Sequence, residues 1–243
     1  MEYGAQHAAL YDAAFHSRGK DYPGEAAAIV ELVRQRRPEA RTLLDVACGT
    51  GLHLRTFAAE FDEVEGVELS PAMLDIARRR LPGVPLRAGD MRTFDLGRTF
   101  DAVTCVSNAV AEVETREGLA LALRRMAAHL APGGVLVVEP WYFPENYLDG
   151  YVGGHVFRDG DRVVSRVTHS TRHGDTTRHT VAFMVATPAG ITQFTDVCVL
   201  GLFTREEYLD ALADAGVKAE LVPGFSLADG RPNGPGLFVG TRS

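Results

Sequence analysis

Asp45, Gly49 and Gly51 stand in the run Leu43-Leu44-Asp45-Val46-Ala47-Cys48-Gly49-Thr50-Gly51. An apolar stretch ends there in a glycine turn, and Leu52 to Phe61 then carries apolar residues at helical spacing. Glycines allow positive φ and let a ligand approach the backbone closely. The amides that open the following helix favour a negative or electron-rich group. Val64-Glu65-Gly66-Val67-Glu68 reads as a second strand ending in an acid, and a carboxylate at Glu68 can accept from both hydroxyls of a ribose. Gly89-Asp90-Met91 follows a third short strand; Asp90 suits the amino group of an adenine and Met91 the flat of its ring. The dinucleotide fingerprint G-x-G-x-x-G requires a third glycine where this chain has Leu54. Gly49 and Gly51 alone could merely close a tight turn. With Glu68 and Asp90-Met91 following in order, they read as a nucleoside-cofactor site.

These residues need a scaffold that brings strand ends together. Helices are predicted over about Ala5 to Phe15 and, capped by Asp21, over Tyr22 to Arg36. Strands follow at about 42–47, 63–68, 84–88, 100–105 and 135–139, with helices between them, one opened by Ser70-Pro71 and one over Glu117 to Leu130. Pro132-Gly133-Gly134 reads as a turn. Unbroken apolar strands alternating with helices make a parallel, doubly wound sheet. Ligands bind past the carboxyl ends of such strands, the edge that holds Asp45 to Gly51, Glu68, Asp90, Ser107 to Glu112 and Glu139 to Phe143. From about His155 to Gly201 the period becomes two. Three antiparallel strands are expected, Arg162 to His169, Thr180 to Val185 and Thr195 to Leu202, joined at His173-Gly174-Asp175 and Pro188-Ala189-Gly190. Thr204 to Glu207 resembles a capping box, and Val217 to Val222 and Leu237 to Thr241 complete seven strands. The expected class is α/β: a mostly parallel seven-stranded sheet from residues 1–140 and 202–243, with an antiparallel β insertion at 141–201.

The chain has 243 residues, 46% hydrophobic and 23% charged, and a net charge of −7. That is ordinary for a globular protein and argues against a general nucleic-acid binder. Cys48, Cys105 and Cys198 are odd in number and far apart, which reads as reduced thiols in a cytoplasmic protein. No membrane span is expected. His169 and His173 are four apart, but on strand and turn that spacing does not pair them, and no metal site is expected.

The Asp45-x-x-x-Gly49-x-Gly51 run resembles motif I of class I S-adenosylmethionine (SAM) methyltransferases. A closer resemblance is carried by Leu10-Tyr11-Asp12, Gly19-Lys20-Asp21-Tyr22, the motif I run, Gly89-Asp90-Met91-Arg92, Val138 to Asn146, Arg166 to Ser170 and Leu202 to Arg205. By these, nearly end to end, the chain resembles the N-methyltransferases that act on dTDP-linked 3-amino-3,6-dideoxyhexoses in the desosamine and mycaminose pathways. The resemblance implies that Tyr22, Ala47, Glu68, Asp90 and Met91, with Gly49, Gly51 and Ser107, hold SAM. It implies that Tyr3, Tyr11, Trp141, Tyr142, Arg166 and His169 face a nucleotide sugar. It also implies a homodimer and gives the β insertion a role in substrate binding and dimerisation.

Two positions depart from that family. It carries a histidine in a Gly-His context after strand four, where this chain has Ala111-Glu112. It carries an arginine in a Gly-Arg-Gly-Leu-Phe run, where this chain has Pro235, with Arg231 four residues earlier. Methyl transfer from a sulfonium mainly requires that the nucleophile be aligned and water excluded. Glu112, with Tyr11, is the candidate catalytic residue: it could accept the amine's proton, attract an ammonium, or stand as a solvated loop acid beside Glu114 and Glu117. The expected activity is N-methylation of a dTDP-linked amino deoxysugar in secondary metabolism. The alternatives are a hydroxyl or amine of another small molecule and a non-catalytic SAM-binding partner protein.

Overall fold

The computed structural model describes residues 4–226, 230 and 234–243, so Tyr3 and Arg231 lie outside the described residues. In chain order the elements are α1 (Ala5–His16), α2 (Tyr22–Arg36), β1 (Thr42–Val46), α3 (Leu52–Glu60), β2 (Glu63–Glu68), α4 (Pro71–Arg80), β3 (Leu86–Ala88) and β4 (Phe100–Cys105). A 3-10 turn (Ala109–Val113), α5 (Arg116–Ala128) and β5 (Leu130–Val138) follow. The chain continues with β6 (Tyr151–Asp159), β7 (Arg162–His173), β8 (Thr176–Thr187), β9 (Gly190–Gly201), α6 (Arg205–Asp214), β10 (Val217–Val222) and β11 (Leu237–Arg242).

Seven strands form one sheet in the order β10-β11-β5-β4-β1-β2-β3. The five from β5 to β3 run parallel, and β11 is antiparallel to both its neighbours. The period of two assigns each residue to a face. Leu43, Val135 and Val137 pack on α2 and α3 through Ile29, Val33, Leu54 and Phe57. Leu44, Leu136 and Val138 pack on α5 and α6 through Leu123, Met126, Tyr208 and Leu212. Helices therefore cover both faces, as a doubly wound sheet requires.

The helix starts follow local chemistry. Asp21 Oδ1 accepts from the Gly24 N–H at 3.1 Å, Ser70 Oγ accepts from the Met73 N–H at 3.3 Å with Pro71 in the first turn, and Thr204 and Glu207 close a reciprocal capping box.

The second sheet, β6-β7-β8-β9, is wholly antiparallel. It has four strands where the sequence predicts three. The missed one, β6, carries Gly153-Gly154, which interrupt the alternation that marks a strand. Pro132-Gly133-Gly134 differs too: it bulges from within β5, since Phe100 pairs with Leu130 but Ala102 with Val135. Helix α1 packs Leu10 and Ala14 on Phe157, Val164, Val181 and Phe183 of this sheet.

Candidate active site

The turn after β1 holds Ala47, Gly49 and Gly51 at φ of 58°, 56° and 80°. It is tied to β2 by the Cys48 N–H, which donates to the Val67 carbonyl at 3.0 Å. Gly66 makes that approach possible, because a Cβ there would come within 2.8 Å of Cys48 Sγ. Beneath the turn, buried Asp45 accepts from Thr104 Oγ1 at 2.7 Å, and burial pushes its carboxyl up to about 7.

Glu68 closes β2. One of its oxygens accepts from the Gly49 N–H at 2.9 Å and the other from the Ser70 N–H at 2.7 Å. A carboxylate offers about four acceptor positions, so lone pairs remain for a diol. Burial raises its pKa, against the pull of those amides. Asp90 is gripped by Arg92, whose Nε lies 2.9 Å and whose backbone N–H lies 2.8 Å from Oδ1; this pairing holds the carboxyl below its usual range. Glu139, 2% exposed, accepts from the Ser107 N–H at 2.6 Å, and burial pushes it up to about 7.

These strand ends border a cavity of about 290 Å³ lined by Tyr11, Ala47, Gly49, Glu68, Asp90, Met91, Ser107 and Glu112, among others. All four non-glycine residues with positive φ among the described residues, Ala47, Ser107, Asn108 and Glu114, stand on the two loops that border it. Such backbone strain collects at binding sites. Gly51 caps α3 just outside the lining. Tyr22 also stands outside it, buried between Lys20 and the His53 ring. Its hydroxyl has no hydrogen-bond partner among the described residues. Lys20 and His53 both meet Glu25, at 2.7 and 2.9 Å.

Tyr11 reaches the cavity because α1 is clamped on two sides. Asp12 accepts from Thr50 Oγ1 at 2.6 Å and pairs with Arg80 at 2.6 Å, and Arg80 also donates to the Thr50 carbonyl. His7 meets Asp196 of β9 at 2.7 Å. Burial, with Glu112 and Glu68 close by, raises the Tyr11 pKa, so the phenol is neutral at physiological pH.

The inner face of the second sheet, beneath α1, carries Arg166, which is 8% exposed. His169 is an odd number of residues further along β7. It points to the opposite, outer face and is exposed. Arg166 and His169 thus stand on opposite faces of this sheet. Trp141 packs on Ala111, Cys198 and Leu200, while Tyr142, 39% exposed, meets its ring edge-on at 4.9 Å between centroids. Tyr3 cannot be assigned to either group, lying outside the described residues.

Residues 43–134 match the model of the methyltransferase domain family. A curated relative, dTDP-4-amino-2,3,4,6-tetradeoxy-D-glucose N,N-dimethyltransferase of Saccharopolyspora spinosa, is 52% identical over 99% of this chain and 94% of its own length. This chain belongs to the dTDP-amino-sugar N-methyltransferase family. A second family member, dTDP-3-amino-3,4,6-trideoxy-alpha-D-glucopyranose N,N-dimethyltransferase of Streptomyces venezuelae, is 49% identical over 98% of both chains. Among solved structures, a SAM-bound amino pentose methyltransferase from Micromonospora echinaspora, involved in calicheamicin biosynthesis, superposes with a TM-score of 0.87 at 54% identity, covering 96% of this chain and 97% of that one.

The enzyme is a SAM-dependent N-methyltransferase. The described residues fit the cofactor: Glu68 has acceptor positions for a ribose, and a Cβ at Gly49 would meet nothing within 4 Å. Sequence reasoning missed the clamp of Asp12, Thr50 and Arg80, whose members have no shared local pattern. It also missed the hold of Arg92 on Asp90, for which the two-residue spacing was the available signal.

Proposed function

We propose that the enzyme transfers methyl groups from SAM to the amine of a dTDP-linked amino deoxysugar, twice in succession as the names of its relatives describe. Residues 1–140 and 202–243 form the SAM-binding body, and 141–201 is an insertion for substrate binding and dimerisation. When bound, SAM supplies a methyl on a positively charged sulfur that leaves as a neutral thioether. Glu68, Asp90 and Met91 hold its nucleoside, the turn at Ala47, Gly49 and Gly51 approaches it closely, and Tyr22 and Ser107 complete the grip. Tyr11 and Glu112 face the acceptor nitrogen, Tyr11 to orient it and Glu112 to take the proton it must lose. Trp141, Tyr142 and Arg166 meet the nucleotide sugar, and α1 helps exclude water. The observation that carries this reading is the convergence of Tyr11 and Glu112 on a cavity otherwise lined by strand-end residues of the SAM motif. A homodimer built on the second sheet is supported by its outward apolar face, and a reducing, cytoplasmic setting by three free, buried thiols.

The test is mass spectrometry of the purified enzyme with SAM and dTDP-3-amino and dTDP-4-amino dideoxyhexoses beside a matched hydroxy sugar. Methylated amino sugar should form together with S-adenosylhomocysteine. Glu112→Gln should lower turnover at saturating substrate by about 10²-fold, the lower end of general-base contributions. An unchanged rate would remove Glu112 from the chemistry.

A further inference from the structure

Arg92 holds Asp90 more completely than a surface ion pair requires. Its backbone N–H reaches Oδ1 at 2.8 Å, Nε reaches Oδ1 at 2.9 Å and Oδ2 at 3.1 Å, and Nη2 reaches Oδ2 at 2.5 Å. A planar guanidinium set against a planar carboxylate fixes the rotation of the acid as well as its position. Both residues border the cavity, and their side chains stay partly open, at 24% for Asp90 and 45% for Arg92. A ligand in the cavity can therefore reach the carboxylate. The loop itself is held by other bonds. Thr93 and Phe94 donate their N–H groups to the Asp90 carbonyl at 3.0 and 2.9 Å, Gly89 donates to the Glu68 carbonyl at 3.0 Å, and Phe94 is anchored in the core.

A carboxylate offers about four acceptor positions. The backbone N–H and Nε–H of Arg92 fill the two on Oδ1, and Nη2–H fills one on Oδ2. One position remains, on Oδ2. The guanidinium also holds the acid below its usual range, so it is ionised at physiological pH and can only accept. A single fixed acceptor matches one N–H of the amino group at the six-position of adenine. It opposes a purine with a carbonyl there, because two acceptors would then face each other.

We propose that Arg92 is a positioning residue for the cofactor: by clamping Asp90 it leaves one oriented acceptor for the six-position of the base, and so makes the site selective for an adenine over a hypoxanthine nucleoside. This rests on the reading that Asp90 meets the adenine, and it adds the residue that makes that contact selective.

Calorimetry compares the binding of S-adenosylhomocysteine with that of S-inosylhomocysteine, in which a ring carbonyl replaces the amino group. The wild-type enzyme should prefer the adenine form by roughly 10- to 10²-fold, the range of one hydrogen bond to a charged group. Arg92→Gln should shrink that preference to less than about threefold. Arg92→Lys, which keeps the charge without the planar fork, should not restore it. A merely structural role predicts that Tm falls and both ligands weaken alike with the preference intact, which overturns the proposal. Tighter binding of S-adenosylhomocysteine by Arg92→Gln overturns it too, since the guanidinium would then be competing with the base for the acid. Asp90→Asn separates the proposal from the reading beneath it. Its amide offers an acceptor or a donor, so the preference should collapse if Asp90 meets the six-position. Collapse in Asp90→Asn but not in Arg92→Gln removes Arg92 and leaves the adenine contact of Asp90 standing. Equal binding of both ligands by the wild-type enzyme removes both.

Discussion

On the proposed reading, the cofactor wall takes Ala47, Gly49, Glu68 and Asp90 from the carboxyl ends of adjacent parallel strands, where each residue's place follows from its own strand and turn. The acceptor wall of that reading takes Tyr11 from a helix, Glu112 from a 3-10 turn, Trp141 from a loop and Arg166 from a strand of a different sheet. On the first wall the polar atoms are already paired, Glu68 with two amides and Asp90 with Arg92. On the second, the buried Trp141 Nε1 has no partner among the described residues. The contrast is one of preorganisation. The cofactor side is a finished surface held by backbone, and the acceptor side relies on packing between distant segments, so substitutions should act differently on the two.

The largest effect is expected on the finished side. Glu68→Ala removes the acceptor for a ribose and also strands the Gly49 and Ser70 amides that now fix the turn. Hydrogen bonds to charged groups are worth about 1.5–3 kcal/mol each, so SAM affinity measured by calorimetry should fall by roughly 10²-fold. A loss smaller than about threefold would mean that the wall is not organised around this carboxylate. On the acceptor side the placing of Tyr11 is shared by Asp12, Thr50 and Arg80 together.

A smaller effect is expected at the seam between the walls. Glu139 holds the strained Ser107 backbone by its N–H and is pushed up to about 7 by burial. A free glutamate titrates near 4.5, so between about 4.5 and 7 the folded state keeps a proton that the unfolded state has lost. The resulting stability is fully present at low pH and disappears as pH rises through 7, at about 1.4 kcal/mol per unit. Glu139→Gln keeps the acceptor oxygen and abolishes the titration. Its stability relative to wild type should therefore rise between pH 5 and pH 8, by about 1–3 kcal/mol in thermal or urea unfolding. The wild-type curve alone would mislead. His7, His53, His155 and His179 are all held neutral by burial and pull the other way below pH 6.5. A difference between variants that stays flat would mean that Glu139 is ionised in the folded protein throughout.

The same contrast explains what could be read from the sequence. Parallel strands, their helices and the caps at Asp21, Ser70 and Thr204 are local patterns, and the structure contains each of them. Cofactor-wall residues are adjacent to those patterns, so Glu68 and Asp90 could be found by counting from strand ends. The second sheet was legible in period but not in number, since Gly153-Gly154 hide β6. What one sequence did not reveal is how α1 lies between the sheets. That depends on Asp12 meeting Arg80 and His7 meeting Asp196, contacts far apart along the chain. Parity could have been read earlier: Arg166 and His169 are three apart on a strand, and residues so spaced face opposite ways.

That parity gives the smallest and sharpest expected effect. His169→Ala should change the acceptor KM by less than about twofold, whereas Arg166→Gln, which removes a buried planar cation from the inner face, should raise it by about tenfold. The outer face on which His169 stands also carries Val152, Val156, Val167, Met184 and Ile191, with Val152 71% exposed. Apolar residues grouped in this way mark an association surface more often than a sugar site. Val167→Glu should accordingly shift the protein toward monomer in sedimentation velocity if the homodimer forms here. Suppose instead that His169→Ala raises the acceptor KM as far as Arg166→Gln does, and that Val167→Glu has the same consequence on dissociating the protein. The acceptor wall would then extend across the subunit boundary, and the side of the site least legible in the sequence would be the side completed by a second copy of the chain.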